Sequence, residues 1–333
     1  AASALLTPAG AAPARPEPRG ETSHPGTGSR ASPQPPELPP RGHRHQRVRR
    51  GQRAGAPPCA EARPSPAHTG ALWAGLPAPS PACSGPPVAP TFAEAMLRLR
   101  LLTWDVKDTL LRLRQPVGES YAAEARAHGV QVQPEALSRA FREAYGAQSR
   151  RFPNYGQGQG LSSQQWWVYV VKQTLRLSGV HEDRVLTPMA EKLYQDYCSA
   201  RNWEVLPGAV ETLSQCCQRG FRMGVVSNFD NRLENILSQC NLRHHFEFIL
   251  TSEAAGFAKP DGRIFEKALR LGGVPPEQAA HVGDDYTRDY WAARSVGMHS
   301  FLLRAVGQDK EPEVPPEHIL PTLSHLLALI EKG

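Results

Sequence analysis

The ten residues Leu101-Leu-Thr-Trp-Asp-Val-Lys-Asp-Thr-Leu110 decide the fold. Ahead of them the alternating Leu97-Arg-Leu-Arg100 gives way to a continuously apolar stretch that ends abruptly at Asp105. That is the pattern of a strand entering a sheet core. It predicts a strand over 97–104 with Asp105 at its carboxyl end. Apolar or β-branched runs recur at 221–226, 246–250, 279–282 and 298–303, with helical patterns between them. Strands alternating with helices imply right-handed crossovers and a parallel sheet covered on both faces, a doubly wound, Rossmann-like α/β fold.

The stretch 113–203 breaks the alternation, because it is too long for one crossover and shows no convincing strand. Its amphipathic segments, 120–128, 134–149, 162–177 and 188–197, read as helices, with Pro134 at a first turn and Ser162 able to cap. Between two of them Phe152-Pro-Asn-Tyr-Gly-Gln-Gly-Gln-Gly160 is a loop by its Gly and Pro content. The stretch is expected to be a helical cap, 113–203, inserted into a core domain formed by 96–112 and 204–333.

Residues 1–95 read as a separate object. They hold 20 of the 32 prolines and 10 of the 28 glycines and contain no Ile, Lys, Asp, Asn, Tyr or Met. Such a composition cannot bury enough apolar surface to offset its ordering entropy, so a disordered extension is expected. The bias suggests GC-rich upstream sequence, with Met96 as the ordinary start. Of the net charge of +6, these residues carry +5, from 10 Arg and 5 Glu, leaving +1 for the rest. The basic run Arg41-Gly-His-Arg-His-Gln-Arg-Val-Arg-Arg50 admits nucleic-acid binding or a nuclear address, but a solvated charge run explains it equally well. Its Arg content also suggests a mitochondrial transit segment, which the prolines spoil as an amphipathic helix.

The six cysteines (Cys59, Cys83, Cys198, Cys216, Cys217, Cys240) show no CxxC pair or zinc spacing, which points to a reducing, intracellular and most simply cytoplasmic setting. No apolar run reaches the roughly 18 residues of a membrane span. No membrane partner is expected, and oligomeric state is not legible.

Ligands of open parallel sheets bind beyond the carboxyl ends of the strands. Four polar clusters fall there: Asp105-Val-Lys-Asp-Thr109, Ser227-Asn228, Lys259-Pro260 and Gly283-Asp-Asp-Tyr-Thr-Arg-Asp289. Singly, each reads as a turn, a cap or a solvated side chain. Together, Asp105, Asp284 and Asp289 would repel one another unless a cation lay between them, and oxygen ligands of this number favour Mg²⁺. The Ser227 hydroxyl and the Lys259 ammonium then supply donors to phosphate oxygens. The set describes phosphoryl handling.

The order and spacing of these clusters resemble the four signature motifs of the haloacid dehalogenase superfamily across essentially all of 96–333. The resemblance implies Asp105 as the nucleophile that forms an aspartyl phosphate. It implies Thr109, Ser227 and Asn228 against the phosphoryl group and Lys259 neutralising developing charge. It implies Mg²⁺ held by Asp105, the Lys107 backbone carbonyl and Asp284, with Asp289 assisting through water or by orienting Lys259. The cap would exclude water and select a small phosphorylated metabolite, with Phe152, Asn154, Tyr155, Trp166 and Trp167 as candidate selectors, although both tryptophans read better as cap core.

Phosphatases of that family carry an Asp two residues beyond the nucleophile, where this chain has Lys107. An ammonium can donate a proton to the leaving oxygen but is a poor base for the hydrolytic water near neutral pH. General acid–base help contributes about 10²–10⁴-fold, which sizes the handicap. Two expectations follow: a hydrolase with Lys107 as an atypical acid, or a catalytically silent binding module in which Lys107 pairs with Asp105 and Asp284. The family's dehalogenase and phosphonate branches also lack that Asp. The phosphonate branch needs a cap lysine, for which only Lys172 and Lys192 are available.

Overall fold

The computed structural model describes residues 91–304 and 314–331. The expectations for the extension, including the basic run and Cys59 and Cys83, lie outside the described residues except at its last five positions. There Thr91 begins a capping box with Glu94 that starts helix α1, Phe92–Leu97, and both Ala95 and Met96 are buried. The expected boundary at Met96 thus falls inside a helix. The predicted first strand shortens to β1, Leu101–Trp104, because 97–100 carry the chain out of α1.

After β1 come a short strand β2 (Leu111–Leu113) and four helices, α2 (Val117–Ala127), α3 (Pro134–Arg151), α4 (Ser163–Leu177) and α5 (Asp183–Asp196). Strand β3 (Trp203–Val205) pairs antiparallel with β2, a two-stranded ribbon through which the chain leaves the sheet and returns. The alternating units follow: α6 (Ala209–Gln218), β4 (Arg222–Ser227), α7 (Leu233–Gln239), β5 (Phe248–Thr251), α8 (Ser252–Ala255), α9 (Arg263–Gly272), β6 (Ala279–Gly283), α10 (Ala292–Ser295), β7 (His299–Leu303), β8 (Ile319–Leu320) and α11 (His325–Glu331).

Six strands form one parallel sheet in the order β5-β4-β1-β6-β7-β8. The chain winds from β1 towards β4 on one side and β6 on the other, so the crevice expected at a topological switch opens beyond Trp104. Alternation along β1 sends Leu102 and Trp104 into an apolar cluster with Leu213, Leu233, Ile236 and Leu326, while Leu101 joins Ile264, Phe265 and Leu269 on the opposite face.

The helical layer has an apolar cluster of its own, centred on Phe141, Trp166, Val170, Leu175 and Leu186. Tyr121, Tyr145, Tyr155 and the two tryptophans make edge-on and tilted ring contacts within it. The layer touches the sheet domain through specific bonds. Tyr155 Oη donates to the Asn228 carbonyl at 3.1 Å, Asn154 Nδ2 to the Ser252 carbonyl at 2.7 Å, and Trp167 Nε1 to Asp230 Oδ2 at 2.6 Å.

Candidate active site

Three strand ends build the cleft. Asp105 follows β1, Ser227 ends β4 and Asp284 follows β6. A space of about 330 Å³ is lined there by Asp105, Lys107, Ser227, Asn228, Lys259, Asp284, Asp285, Arg288 and Asp289. The structure therefore brings together every predicted site residue except Thr109, which lies behind the cleft and donates its hydroxyl to Asp284 Oδ1 at 3.2 Å. Thr109 supports Asp284 from a fully buried position and does not line the cleft.

Lys259 is the hub. Its buried ammonium donates to Asp105 Oδ1 at 2.7 Å, to Asp289 Oδ1 at 2.5 Å and to the Val226 carbonyl at 2.9 Å. Burying an ammonium costs several kcal/mol, so three acceptors at these distances are what keeps it charged. Burial opposes the charge on Lys259, and the two carboxylates outweigh it and raise its pKa. The peptide bond from Lys259 to Pro260 is cis. The Asn228 amide fixes this backbone, its Oδ1 accepting from the Lys259 N–H at 2.7 Å and its Nδ2 donating to the Lys259 carbonyl at 2.8 Å. The side chain of Asn228 is thereby committed to the Lys259 backbone.

The two carboxylates that share Lys259 are not equivalent. Burial pushes the Asp105 carboxyl up, Lys259 opposes it, and the charge of Asp289 adds to the rise. At Asp289 burial also resists ionisation, but Lys259 and the His281 N–H outweigh it and hold the carboxyl well below the usual range. Asp289 is thus the fixed charge and Asp105 the more basic oxygen. His281 lies at the centre of β6, opposite Thr103 of β1. Its Nε2 is 3.1 Å from Asp289 Oδ1 and its Nδ1 2.8 Å from Thr103 Oγ1. A neutral ring that donates from Nε2 and accepts from Thr103 satisfies both contacts, an assignment made from the network. Sequence reasoning missed His281. Its one signal was a histidine inside an otherwise apolar strand, Ala-Ala-His-Val-Gly.

Asp105, Asp284 and Asp289 can each offer an oxygen, all within 4.8 Å of one another. Hard carboxylate oxygens on one rim fit a small divalent cation. Both oxygens of Asp289 are already engaged, Oδ1 by Lys259 and His281 and Oδ2 by the Asp285 N–H at 3.0 Å. Direct ligation would therefore fall on Asp105 and Asp284.

The Lys107 ammonium has a partner that neither expectation named. It pairs with Asp108, Nζ to Oδ2 at 2.5 Å, and the residue lines the cleft. Of the expected selectors, Trp166 and Trp167 are buried in the helical layer's core, and Asn154 and Tyr155 are bound to the sheet domain's backbone. Phe152 lies under the Arg151 guanidinium. None of the five lines the cleft.

Residues 99–297 match the haloacid dehalogenase-like hydrolase family, and the chain belongs to it. It is 56% identical over 238 residues to the human haloacid dehalogenase-like hydrolase domain-containing protein 3, covering 71% of this chain and 95% of that protein. A 2-haloacid dehalogenase from Pseudomonas syringae shares the fold at a TM-score of 0.53 and 21% identity, over 70% of this chain and 99% of that one. The magnesium-bound HAD-hydrolase YfnB of Bacillus subtilis does so at 0.53 and 19%, over 70% and 99%.

Among the described residues no helix is long and apolar enough to cross a membrane. Cys198, Cys216, Cys217 and Cys240 are free thiols.

Proposed function

We propose that the protein is a Mg²⁺-dependent hydrolase of a small phosphorylated metabolite, working through an aspartyl phosphate on Asp105, with 113–203 as a cap over the cleft. The observation that carries this reading is the chain Asp105–Lys259–Asp289 at the sheet's switch point, with Asp284 on the same rim. A bound divalent cation would sit against Asp105 and Asp284 and supply neutralising charge to the phosphate. Asp105 attacks phosphorus and forms a new O–P bond while the P–O bond to the leaving group breaks. Lys259 steadies the attacking carboxylate and stabilises the charge gathering on the phosphoryl oxygens, and Ser227 offers a further hydroxyl. Lys107 must release Asp108 to give the departing oxygen its proton. Water then attacks phosphorus, giving its proton to the Lys107 amine left by the first step, the bond from phosphorus to the Asp105 oxygen breaks, inorganic phosphate departs and the carboxylate is regenerated.

A second reading rests on the Lys107–Asp108 pair. An ammonium held by its own neighbour is not available to the leaving group, and the domain would then bind phosphorylated ligands without turnover. Phosphate release by the full chain from a panel of phosphomonoesters, with and without Mg²⁺ and beside Asp105→Asn, separates the two. Mg²⁺-dependent release abolished by the substitution is expected of the hydrolase. No release under either condition leaves the binding module.

A further inference from the structure

The helical layer and the sheet domain enclose a second space, of about 510 Å³, that shares no lining residue with the Asp105 cleft. Tyr121, Phe141, Tyr155 and Trp167 line it from the helical layer, Trp203 from β3 and Phe229 from just beyond β4. Eight of its thirteen lining side chains are aromatic, so its walls present ring faces and edges. The rings prop one another in place. Tyr121 meets Phe141 edge-on with centroids 5.9 Å apart and Tyr197 at 6.4 Å, and Trp203 lies 5.8 Å from Phe229. Tyr194 is partly exposed and marks the side on which the space meets solvent.

Two charged side chains belong to the lining, and they cancel. Asp230 accepts from Arg232 Nη2 at 2.7 Å and from Nε at 2.8 Å. The space thus has no surplus charge with which to compensate an ion taken out of water, and burying an uncompensated ion is costly. The polar atoms of three wall rings are committed to the protein: Trp167 Nε1 to Asp230 at 2.6 Å, Trp203 Nε1 to the Tyr197 carbonyl at 3.2 Å and Tyr155 Oη to the Asn228 carbonyl at 3.1 Å. The Tyr121 hydroxyl differs from these. Its residue is 2% exposed, yet among the described residues this oxygen has no hydrogen-bond partner. Burial holds the phenol well above its ordinary pKa, so it keeps its proton and can donate. Buried phenols normally find a partner, and one that lines a space without a partner is completed by an acceptor on whatever enters.

We propose that this space is a binding site for a small uncharged molecule built on one aromatic ring and carrying an oxygen that accepts from Tyr121 Oη. The ring packs among the wall aromatics, and the oxygen supplies the bond that the phenol lacks. The site is separate from the Asp105 cleft and does not depend on the phosphate reading of that cleft. Because its walls come from both layers, an occupant contacts the two at once.

The test is a ligand-observed NMR titration of the full chain with benzyl alcohol, toluene and benzoate, which share one ring and differ in the group attached. Benzyl alcohol and toluene should each bind saturably, and benzoate, which brings an unpaired charge, at least about tenfold more weakly than benzyl alcohol. Tyr121→Phe keeps the ring and removes the hydroxyl, so it should weaken benzyl alcohol about threefold, as expected for one lost hydrogen bond, and leave toluene unchanged. Val171→Phe, which fills the space from α4, should displace both. If that variant fails to fold, the Tyr121→Phe comparison decides alone. Asp105→Asn should alter neither affinity, since Asp105 does not line the space. No saturable binding of either uncharged ring, benzoate binding as tightly as benzyl alcohol, a benzyl alcohol affinity that Tyr121→Phe leaves intact, or binding lost in Asp105→Asn overturns the site.

Discussion

Lys107 Nζ lies 2.5 Å from Asp108 Oδ2, and Asp108 meets it from a left-handed backbone conformation with φ of 64°. A non-glycine residue there carries strain of about 1–3 kcal/mol. The Asp108 N–H, bonded to the Leu111 carbonyl at 2.7 Å, helps to hold it. On the proposed reading, the ammonium can serve the leaving oxygen only once Asp108 releases it. If proton transfer at this position limits turnover, Lys107→Asp should raise phosphate release by about 10²-fold or more, the lower end of what acid–base catalysis supplies. Equal rates for the two proteins in a steady-state assay would remove position 107 from the limiting step.

Metal binding should be visible without turnover. A cation that binds the folded state alone stabilises it by about 2.7 kcal/mol at a concentration 100 times its dissociation constant. Mg²⁺ is therefore expected to raise the thermal midpoint, and Asp284→Asn to abolish most of the rise, since Asp284 offers a carboxylate oxygen on the same rim as Asp105. A midpoint indifferent to Mg²⁺ in the unmodified protein would count against a metal at this rim.

The sequence shows where side chains sit more readily than which way they point. Asp105, Ser227 and Asp284 were legible because each ends or follows a strand, and parallel sheets gather such ends at one edge. Thr109 and Asn228 lie in the same motifs, yet one turns back to Asp284 and the other to the Lys259 backbone, directions that spacing does not encode. His281 escaped notice because it sits in mid-strand, where its partner Thr103 becomes apparent only through register. The strand predicted over 97–104 ran four residues too far because the Thr91–Glu94 capping box lay in a segment whose composition argued against structure. Strands β2 and β3, three residues each, are too short for a period to show.

Gly283 admits no side chain. A Cβ built there would lie 2.2 Å from Asp289 Cγ, so any larger residue must push Asp289 off Lys259 or shift the end of β6. Overpacking of this kind costs about 1–3 kcal/mol, and here it falls on the carboxylate that fixes Lys259. Gly283→Ala should therefore lower the urea midpoint and reduce phosphate release together. Full activity in that variant would show that Asp289 is not needed in its present position.

The contact between the helical layer and the sheet domain rests on a buried ion pair whose pH behaviour can be given a sign. Asp230 accepts from Arg232 Nη2 at 2.7 Å and Nε at 2.8 Å and from Trp167 Nε1 at 2.6 Å, while the Arg232 guanidinium lies over the rings of Trp167 and Tyr194. Burial disfavours the Asp230 charge, but Arg232 and the bonds outweigh it and hold the carboxyl below its ordinary value. A carboxyl lowered on folding contributes stability that is present above its unfolded pKa, about 3.9, and is lost as pH falls below that value towards the folded one. At neutral pH Asp230→Asn leaves Arg232 buried without its counter-charge, a cost of about 3–5 kcal/mol. Below about pH 4 the unmodified protein loses its advantage as its unfolded chain takes up a proton that the folded Asp230 refuses. The variant has no such proton to take up, so the gap in urea midpoint should narrow steadily as the acid limb is descended. A gap of constant size down that limb would mean that Asp230 titrates alike in the folded and unfolded chains, and the pair would then lend the layer no pH dependence.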